Sequence, residues 1–447
     1  VESCDVLVVG EGIAGCTAAL AATERGAEVL VIEKAPKNVP HANTAFSGGS
    51  FRRTSQAYPA EKFYHDMISL SGGRADPELT KIMVEGSQQA RDWLTELGVA
   101  WTSKSRDPGA AEQVEGQGKA LAQILRRAVA ERNIKILHET EACSLVLESE
   151  KIAGLRVKTK EGSSEIRSKA VILAAGGFQA NPEMVTRYIG PGGNNLVLRG
   201  SPYNTGDGIR MALEVGAKID WMDDFHGGLI HYGYKKYLAE GAMAGMRSMK
   251  KYEVGILVNQ QGSRFVDEGE QASDKTYAKF GKIVALTQPG GVAYVIFDSA
   301  TKEIINPDYT GPERGPIEGA SIRELATKLE IDPDGLYDTV TRFNDSIQGD
   351  KCLSLRPPKT NFAQRIEGPA FFAYKVTGGF TFTFGGVCTN TTGQVIDTNL
   401  KPIAALYAAG EIATGIFYGN YAGGSSLPRC AVYGRIAGES AASYVKQ

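Results

Sequence analysis

The chain has 447 residues, 42% of them apolar and 22% charged, ordinary globular values that exclude wholesale disorder. Length alone suggests roughly two to four structural units at ~100–200 residues per domain, enough to bury a sizeable core. Lys plus Arg number 49 and Asp plus Glu 51, a formal charge of −2, which argues against a phosphate-backbone partner and so against nucleic acid.

Taken in order, Cys4–Gly10 reads as a buried strand, Ile13–Arg25 as an Ala-rich amphipathic helix, and Glu28–Glu33 as a second strand. That is a βαβ unit. A loop rich in Gly, Ser, Asn and Pro follows over 36–53, then helical patterns at Pro59–Ser71 and Asp76–Leu97. Gly118–Asn133 predicts a helix with Leu121, Ile124, Leu125 and Val129 on one face. Residues 134–172 alternate as several strands, and Lys169–Ala175 is an apolar strand ending in Gly176-Gly177. Beyond Trp221 the periodicity weakens. It returns as helix over Ser321–Asn344, a Pro-containing connector over 349–369, Gly-rich strands from Tyr374 and a final helix at Ser426–Val445. The pattern predicts an α/β protein. A Rossmann-like nucleotide-binding domain is built from 1–220 and 352–447, with a second domain inserted at 221–351.

The six Cys are scattered, with no CxxC pair, so reduced thiols fit better than disulfides, zinc or an iron–sulfur site. No two of the five His have HxxxH spacing, and no metal is expected. No apolar run reaches the ~18 residues of a membrane span. The chain opens at Val1 without a charged leader, which leaves room for a removed initiator Met or leader, and the cytosol is the expected compartment.

Gly10-Glu11-Gly12-Ile13-Ala14-Gly15 is GxGxxG between a strand and a helix. Gly10 suits the tight turn, Gly12 lets a pyrophosphate approach the helix N-terminus, and Gly15 lets helix and strand pack closely. Glu33 stands about 18 residues past Gly15 at the end of the next strand, where a carboxylate accepts from an adenosine ribose hydroxyl. Three further Gly-rich stretches distinguish FAD from NAD: Asn43–Gly49, Ala174–Gly177 and Leu406–Glu411. Together they suit a cofactor extended across a sheet, with Glu411 as acceptor for ribityl hydroxyls. Gly423-Gly424-Ser425-Ser426-Leu427-Pro428 opens the last helix, with Ser as cap and Pro in the first turn. Its N-terminus would stabilise negative charge on a flavin ring.

These motifs, with Thr205-Gly206-Asp207-Gly208 and the stretch Val258–Glu268, resemble the flavoprotein subunits of succinate dehydrogenase and fumarate reductase and their soluble relatives over nearly the whole chain. The resemblance implies FAD and an α+β capping domain inserted over the flavin. It carries cofactor contacts to Gly10, Gly12, Ile13, Ala14, Gly15, Glu33, Lys34, Thr44, Ser47, Gly48, Gly49, Ala174, Gly176, Thr205, Asp207, Gly410, Glu411, Gly424, Ser426 and Leu427. Within the family, Arg264–Gly269, Thr276–Gly281, Thr381–Gly386 and Phe417–Gly424 look most like tricarballylate dehydrogenases, and Tyr421-Ala422-Gly423 is similar to 3-ketosteroid Δ1-dehydrogenases. Fumarate reductases have an Arg where this chain has Ala272-Ser273, a His at Phe382 and an Arg at Tyr421. Fumarate reduction is therefore disfavoured. The tricarballylate-type pattern also usually has an Arg near Ser273.

Making a double bond needs a hydride acceptor, flavin N5, a base for the neighbouring proton, and a donor for the enolate-like oxygen. The candidates are Tyr421 first, as carbonyl polariser or proton relay, then Tyr418, His226, Lys275 and Thr383. Arg264 is expected to brace the inserted domain. The leading expectation is a desaturase of a small carboxylate or carbonyl compound. An oxidase of a larger apolar metabolite is the alternative, and an electron-transfer module without substrate chemistry the third. A separate acceptor protein or oxygen takes the electrons. Large respiratory members attach flavin to a His at the position of Ala42, and His41 is one place away, so FAD is held non-covalently. Acid precipitation should leave all yellow colour in the supernatant; flavin on the pellet would contradict this.

Overall fold

The computed structural model describes residues 2–102, 109–233, 248–305 and 315–447. They form two compact units, one of 1–189, 200–225 and 382–447, the other of 190–199 and 226–381.

The first unit begins with β1 (Glu2–Val9), α1 (Ile13–Glu24) and β2 (Val29–Ile32). Then come α2 (Pro77–Glu96), capped by Asp76 on the N–H groups of Glu78 and Leu79, and α3 (Gln117–Glu131). β3 (Lys135–Leu137), β4 (Glu141–Glu148), β5 (Lys151–Thr159) and β6 (Gly162–Leu173) complete the first segment of sheet, and α4 (Asp207–Glu214) follows. The second unit holds β7 (Phe225–His231), β8 (Ile256–Val258), β9 (Ala293–Asp298), α5 (Ile322–Leu329), α6 (Pro333–Asp345) and most of β10 (Phe371–Thr383). The chain then returns through β11 (Gln394–Ile396), β12 (Pro402–Ala408) and α7 (Ser426–Tyr444).

The first unit's sheet runs β11-β12-β6-β1-β2-β3, with β5 on β6 and β4 on β5. β1 pairs in parallel with β2 (Val6 opposite Val29) and with β6 (Val9 opposite Leu173), and β12 joins β6 in parallel. Parallel strands covered on both faces are continuous apolar runs, as Val6–Val9 and Val29–Ile32 are. α1, read as amphipathic, is instead buried all along Ile13–Ala22. α7 covers the side that local sequence would leave to solvent.

The second unit's sheet contains β10, β9 and β8 in that order, with Val197–Leu198, β7 and Ile317–Gly319 also on β10. β10 is the spine, antiparallel to β9 from Phe371 opposite Asp298 to Val376 opposite Ala293. This is why the segment ends at 381 rather than at the expected 351, and why 190–199 belongs with it. A composition change locates a loop, whereas the boundary follows strand pairing. The helical stretch at 321–344 is two helices, because Asp332 caps a new start on the N–H of Asp334 and Pro333 begins it.

Arg264 does brace this unit. It meets Glu268 at 2.7 Å and 3.0 Å and donates to the carbonyls of Pro357 and Pro358 at 2.9 Å and 3.0 Å. Lys359 Nζ lies 3.6 Å from the same carboxylate, and the three side chains are 5% exposed or less. Arg264→Met should cost about 3–5 kcal/mol, because a buried carboxylate loses its bidentate partner. Urea unfolding measures it, and an unchanged midpoint would remove the bracing role.

Candidate cofactor site

In the first unit, the C-terminal ends of β1, β6 and β12 and the chain after β2 surround an open cavity of about 750 Å³. Of the residues expected to bind cofactor, Gly10, Gly12, Ile13, Ala14, Glu33, Lys34, Thr44, Ala174, Gly176, Asp207 and Glu411 line it. A cavity bounded by both Glu33 and Glu411 suits an extended dinucleotide better than a compact ligand. The three motif glycines have different reasons. Gly10 has φ +106°, and a Cβ there would lie 2.5 Å from the Ala174 carbonyl; one at Gly15 would lie 1.9 Å from the Gly10 carbonyl. At Gly12 the nearest atoms would be 3.6 Å away, so packing within the protein does not demand glycine. Close approach of a group from outside the protein does, and the cradle fits a pyrophosphate.

Glu33 is buried at the end of β2. Its Oε2 accepts the Glu11 N–H at 3.1 Å and its Oε1 the Ala35 N–H at 2.9 Å. Each oxygen keeps a lone pair for a ribose hydroxyl. Lys34 Nζ donates to Thr205 Oγ1 and to Asp207 Oδ2, the latter at 2.6 Å, so these three expected contacts are bound to one another. Thr44 Oγ1 accepts the Ile13 N–H at 2.9 Å.

At the other end, burial pushes the Glu411 carboxyl up to about 7. Oε2 accepts from Asn43 at 2.7 Å and Asn204 at 3.1 Å, and Oε1 accepts the Thr383 N–H at 3.2 Å. Gly410, φ +84°, makes the turn before it. Ser47, Gly48 and Gly49 lie off the cavity wall: Ser47 Oγ donates to the Thr44 carbonyl, Gln113 to the Gly48 carbonyl, and the Gly49 carbonyl accepts the Val114 N–H. Gly424, Ser426 and Leu427 also lie off it, and the Gly424 carbonyl accepts the Arg52 N–H at 2.9 Å. Ser425 does not cap α7 with its side chain. The Ser426 N–H donates instead to the Tyr421 hydroxyl at 3.0 Å.

Sequence reasoning missed a buried cluster around Glu11, the residue between the first two motif glycines. Its side chain is 1% exposed, with His138 Nε2 at 2.8 Å, His41 Nε2 at 3.0 Å and Arg126 Nε at 2.9 Å. His41 Nδ1 lies 2.9 Å from the Val39 carbonyl. Each ring nitrogen thus faces an acceptor and also the Arg126 Nη2 donor, at 3.0 Å from Nδ1 and 2.9 Å from Nε2. The Glu11 hydrogen bond and the Glu33 charge raise the His41 pKa above its usual value, against its burial and the nearby Arg126. Despite burial, the His41 hydrogen bond and the Arg126 charge hold the Glu11 carboxyl below the usual range. The legible signal was an acid inside the Gly-rich loop, where a bound diphosphate makes an unpaired one unfavourable. Asn43 and Asn204 left no such signal.

The catalytic candidates divide between the units. Tyr421 is buried in the first unit, its ring 5.4 Å from that of Phe382 and 5.2 Å from that of Phe417. Tyr418 is half-buried, with the Arg74 guanidinium 4.1 Å over its ring and Trp221 beside it. Thr383 Oγ1 is buried with no hydrogen-bond partner. In the second unit, His226 is 2% exposed with its ring 4.9 Å from that of Tyr277. Burial, reinforced by Arg199 and Lys250, pushes its pKa well down, so the ring is neutral. Lys275 sits half-buried on the one-turn helix Ser273–Thr276 of that unit.

A family model described as "FAD binding domain" matches residues 5–427. The chain is 31% identical to the NADH:fumarate oxidoreductase of Klebsiella pneumoniae (strain 342), over 99% of its own length and 48% of that protein, so it spans about half of this relative. It is 29% identical to the fumarate reductase (cytochrome) of Shewanella frigidimarina, over 100% of its length and 78% of that protein. The fold matches that of 3-ketosteroid Δ1-dehydrogenase from Sterolibacterium denitrificans with a TM-score of 0.80 at 21% identity, covering 99% and 100% of the two chains.

The cluster predicts pH-dependent FAD retention. With a raised pKa, protonated His41 contributes fully below its ordinary 6.5, and that contribution is lost as pH rises through the raised value. The Glu11 contribution is present above 4.5 and lost as pH falls through its lowered value. Cofactor dissociation, followed by flavin fluorescence, should accelerate as pH is raised above neutral. His41→Gln should flatten that profile, and an unaltered profile would detach His41 from cofactor binding.

Proposed function

The chain belongs to the FAD binding domain family; we propose that it is an FAD-dependent oxidoreductase that forms a carbon–carbon double bond next to the carboxylate or carbonyl of a small organic substrate. The cavity bounded by Glu33 at one end and Glu411 at the other carries the reading, because it suits an extended dinucleotide held by non-covalent contacts. FAD, when bound, supplies the hydride acceptor. The protein's part is to hold the substrate, take a proton from the neighbouring carbon and stabilise the charge that builds on oxygen.

Tyr421 is the proposed donor to that oxygen. The α7 N-terminus donates to its hydroxyl, which polarises the O–H and makes it a stronger donor. Its own contact with Ser426 Oγ is long, 3.3 Å, and readily exchanged for a better acceptor. The unsatisfied Thr383 hydroxyl of the same unit offers a second polar contact. Tyr418, under the Arg74 guanidinium, is proposed to help position the substrate, and His226 and Lys275 of the second unit stay proposed on side-chain chemistry alone.

A second reading is oxidation of a larger, more apolar metabolite with oxygen as acceptor. One observation favours it: Phe382, Phe384 and Phe417 gather around Tyr421 in the region where fumarate reductases keep charged groups. Re-oxidation of the reduced enzyme in air and under nitrogen distinguishes oxygen from a separate acceptor protein. Among the described residues no helix is long and apolar enough to cross a membrane. The six free cysteines fit a reducing compartment, and the cytosol is proposed.

Tyr421→Phe should keep its FAD yet reduce flavin about 10²-fold more slowly in anaerobic stopped-flow mixing with substrate. A parental rate combined with a lower melting temperature would make Tyr421 only the cap of α7. Anaerobic titration with saturated and α,β-unsaturated carboxylates and ketones tests the reaction class. A flavin band that no such pair bleaches or restores would overturn it.

A further inference from the structure

Arg429 lies in the first turn of α7, only 2% exposed. Its Nε and Nη1 are buried with no hydrogen-bond partner. No carboxylate lies within ion-pair distance of it among the described residues. The guanidinium sits 4.7 Å over the ring of Phe417 and 5.9 Å over that of Phe382, and aromatic faces soften a buried charge without neutralising it. An unpaired buried cation is among the most unfavourable arrangements in a protein, so a partner is to be expected.

The neutral Cys430 thiol is within hydrogen-bond reach of Arg429 but leaves its charge unbalanced, and no carboxylate among the described residues fills that role. Glu411 is the acid whose ionisation Arg429 favours, but its carboxyl is already held by Asn43, Asn204 and the Thr383 N–H and titrates at about 7, so it is incompletely charged at neutral pH. Nearby carbonyls are engaged: Leu79 by the Tyr433 hydroxyl at 2.8 Å, Phe384 by the Thr414 hydroxyl at 3.0 Å, and Gly410 by the Ala413 N–H at 3.2 Å. Arg429 instead lines a second cavity of the first unit, about 220 Å³ in all, with about 10 Å³ free at its centre. That is room for one water-sized occupant. Arg429 is not on the wall of the large cofactor cavity, so the cofactor is not the evident partner.

We propose that the cavity bounded by Leu79, Thr389, Ala413, Thr414, Ile416 and Arg429 binds one small monovalent inorganic anion of halide size on the Nε–Nη1 edge of Arg429. Charge calls for an anion rather than water, and the small free volume favours a monatomic ion over a carboxylate or larger oxyanion. The apolar wall of Leu79, Ala413 and Ile416 favours a weakly hydrated ion. The site lies outside the proposed substrate chemistry and does not depend on it. It bears on the same unit in two ways. The anion neutralises a cation stacked on the aromatic group that surrounds Tyr421. It also removes the pull of Arg429 on Glu411, so binding is accompanied by proton uptake and tightens as pH falls through about 7. The other groups facing Glu411 are neutral Asn43, Asn204 and Gln179, the Thr383 N–H and the Cys430 thiol, which its burial holds protonated.

The test uses the flavoprotein exchanged into halide-free buffer, with ionic strength held constant by sodium gluconate, an anion too large to enter. Sodium bromide or chloride should give a saturable rise in Tm of about 2 °C. Crystals in sodium bromide should show an anomalous bromine peak at ion-pair distance from Arg429. Leu79→Phe, which fills the cavity and leaves Arg429 in place, should lose both the thermal response and the peak, as should Arg429→Met. A Tm insensitive to bromide, or rising equally with gluconate, would overturn the proposal. So would a crystal in bromide with no peak in the cavity, which decides the matter even if the variants fail to fold.

Discussion

The first unit depends on two helices from opposite ends of the chain lying backbone to backbone. A Cβ on Gly434 of α7 would come within 2.0 Å of Thr17 Oγ1, and one on Gly438 within 2.2 Å of the Ala18 carbonyl. Thr17 turns its hydroxyl back onto the Ile13 carbonyl at 2.8 Å, which removes a polar group from the contact. This approach buries α1 on every side and fixes its N-terminus against β1. The Gly12–Ala14 edge therefore faces the cavity without help from a ligand. The same contact holds the start of α7, and with it the Tyr421 cap and the Arg429 side chain. One packing constraint thus places groups at both the cofactor cavity and the smaller pocket.

Three buried carboxylates around the large cavity are stabilised in three different ways, which separates their uses. Glu33 takes backbone N–H groups, neutral donors that keep it available as an acceptor for sugar hydroxyls. Glu11 takes the Arg126 guanidinium and two imidazoles, which offset its burial at the wall of the large cavity. Glu411 takes side-chain amides and one N–H, too little to offset its desolvation, and so titrates near neutrality. A carboxyl in that state can donate a hydrogen bond as well as accept one. Identical chemistry in sequence becomes three functions because burial and partners differ.

The second unit is organised by a strand rather than by a helix pair. β10 carries most of the pairings of its sheet. Apolar residues pack on both faces of that sheet: Leu257, Val295 and Phe297 belong to one cluster, and Ile256, Val258 and Ile296 to another that includes the helices α5 and α6. The Arg264–Glu268–Lys359 group ties the loop after β8 to the connector before β10. A dry ion triad is a weak source of stability but a strong constraint on which loops can meet.

The sequence by itself determined the βαβ start and the parallel core of the first unit, and it named the Gly-rich turn and the acids Glu33 and Glu411 that line the large cavity. These rest on local rules: apolar runs for buried strands, glycine where backbone must turn or be approached, and an acid at a strand end. It also located α3 and α7 to within a few residues. Tertiary structure decided the rest. The reach of the inserted segment to residue 381 follows from the partners of β10, which no local period encodes. β7 is buried throughout Phe225–His231 although it carries two His and two Gly, because neighbouring strands and not its own pattern enclose it. The Glu11 cluster joins four separate stretches of chain, and Tyr421 caps a helix for which Ser425 looked the natural residue. Charge pairing and burial depend on distances between residues far apart in sequence. A linear reading therefore names the groups that can bind or react, and folding decides which of them are charged, paired or left without a partner.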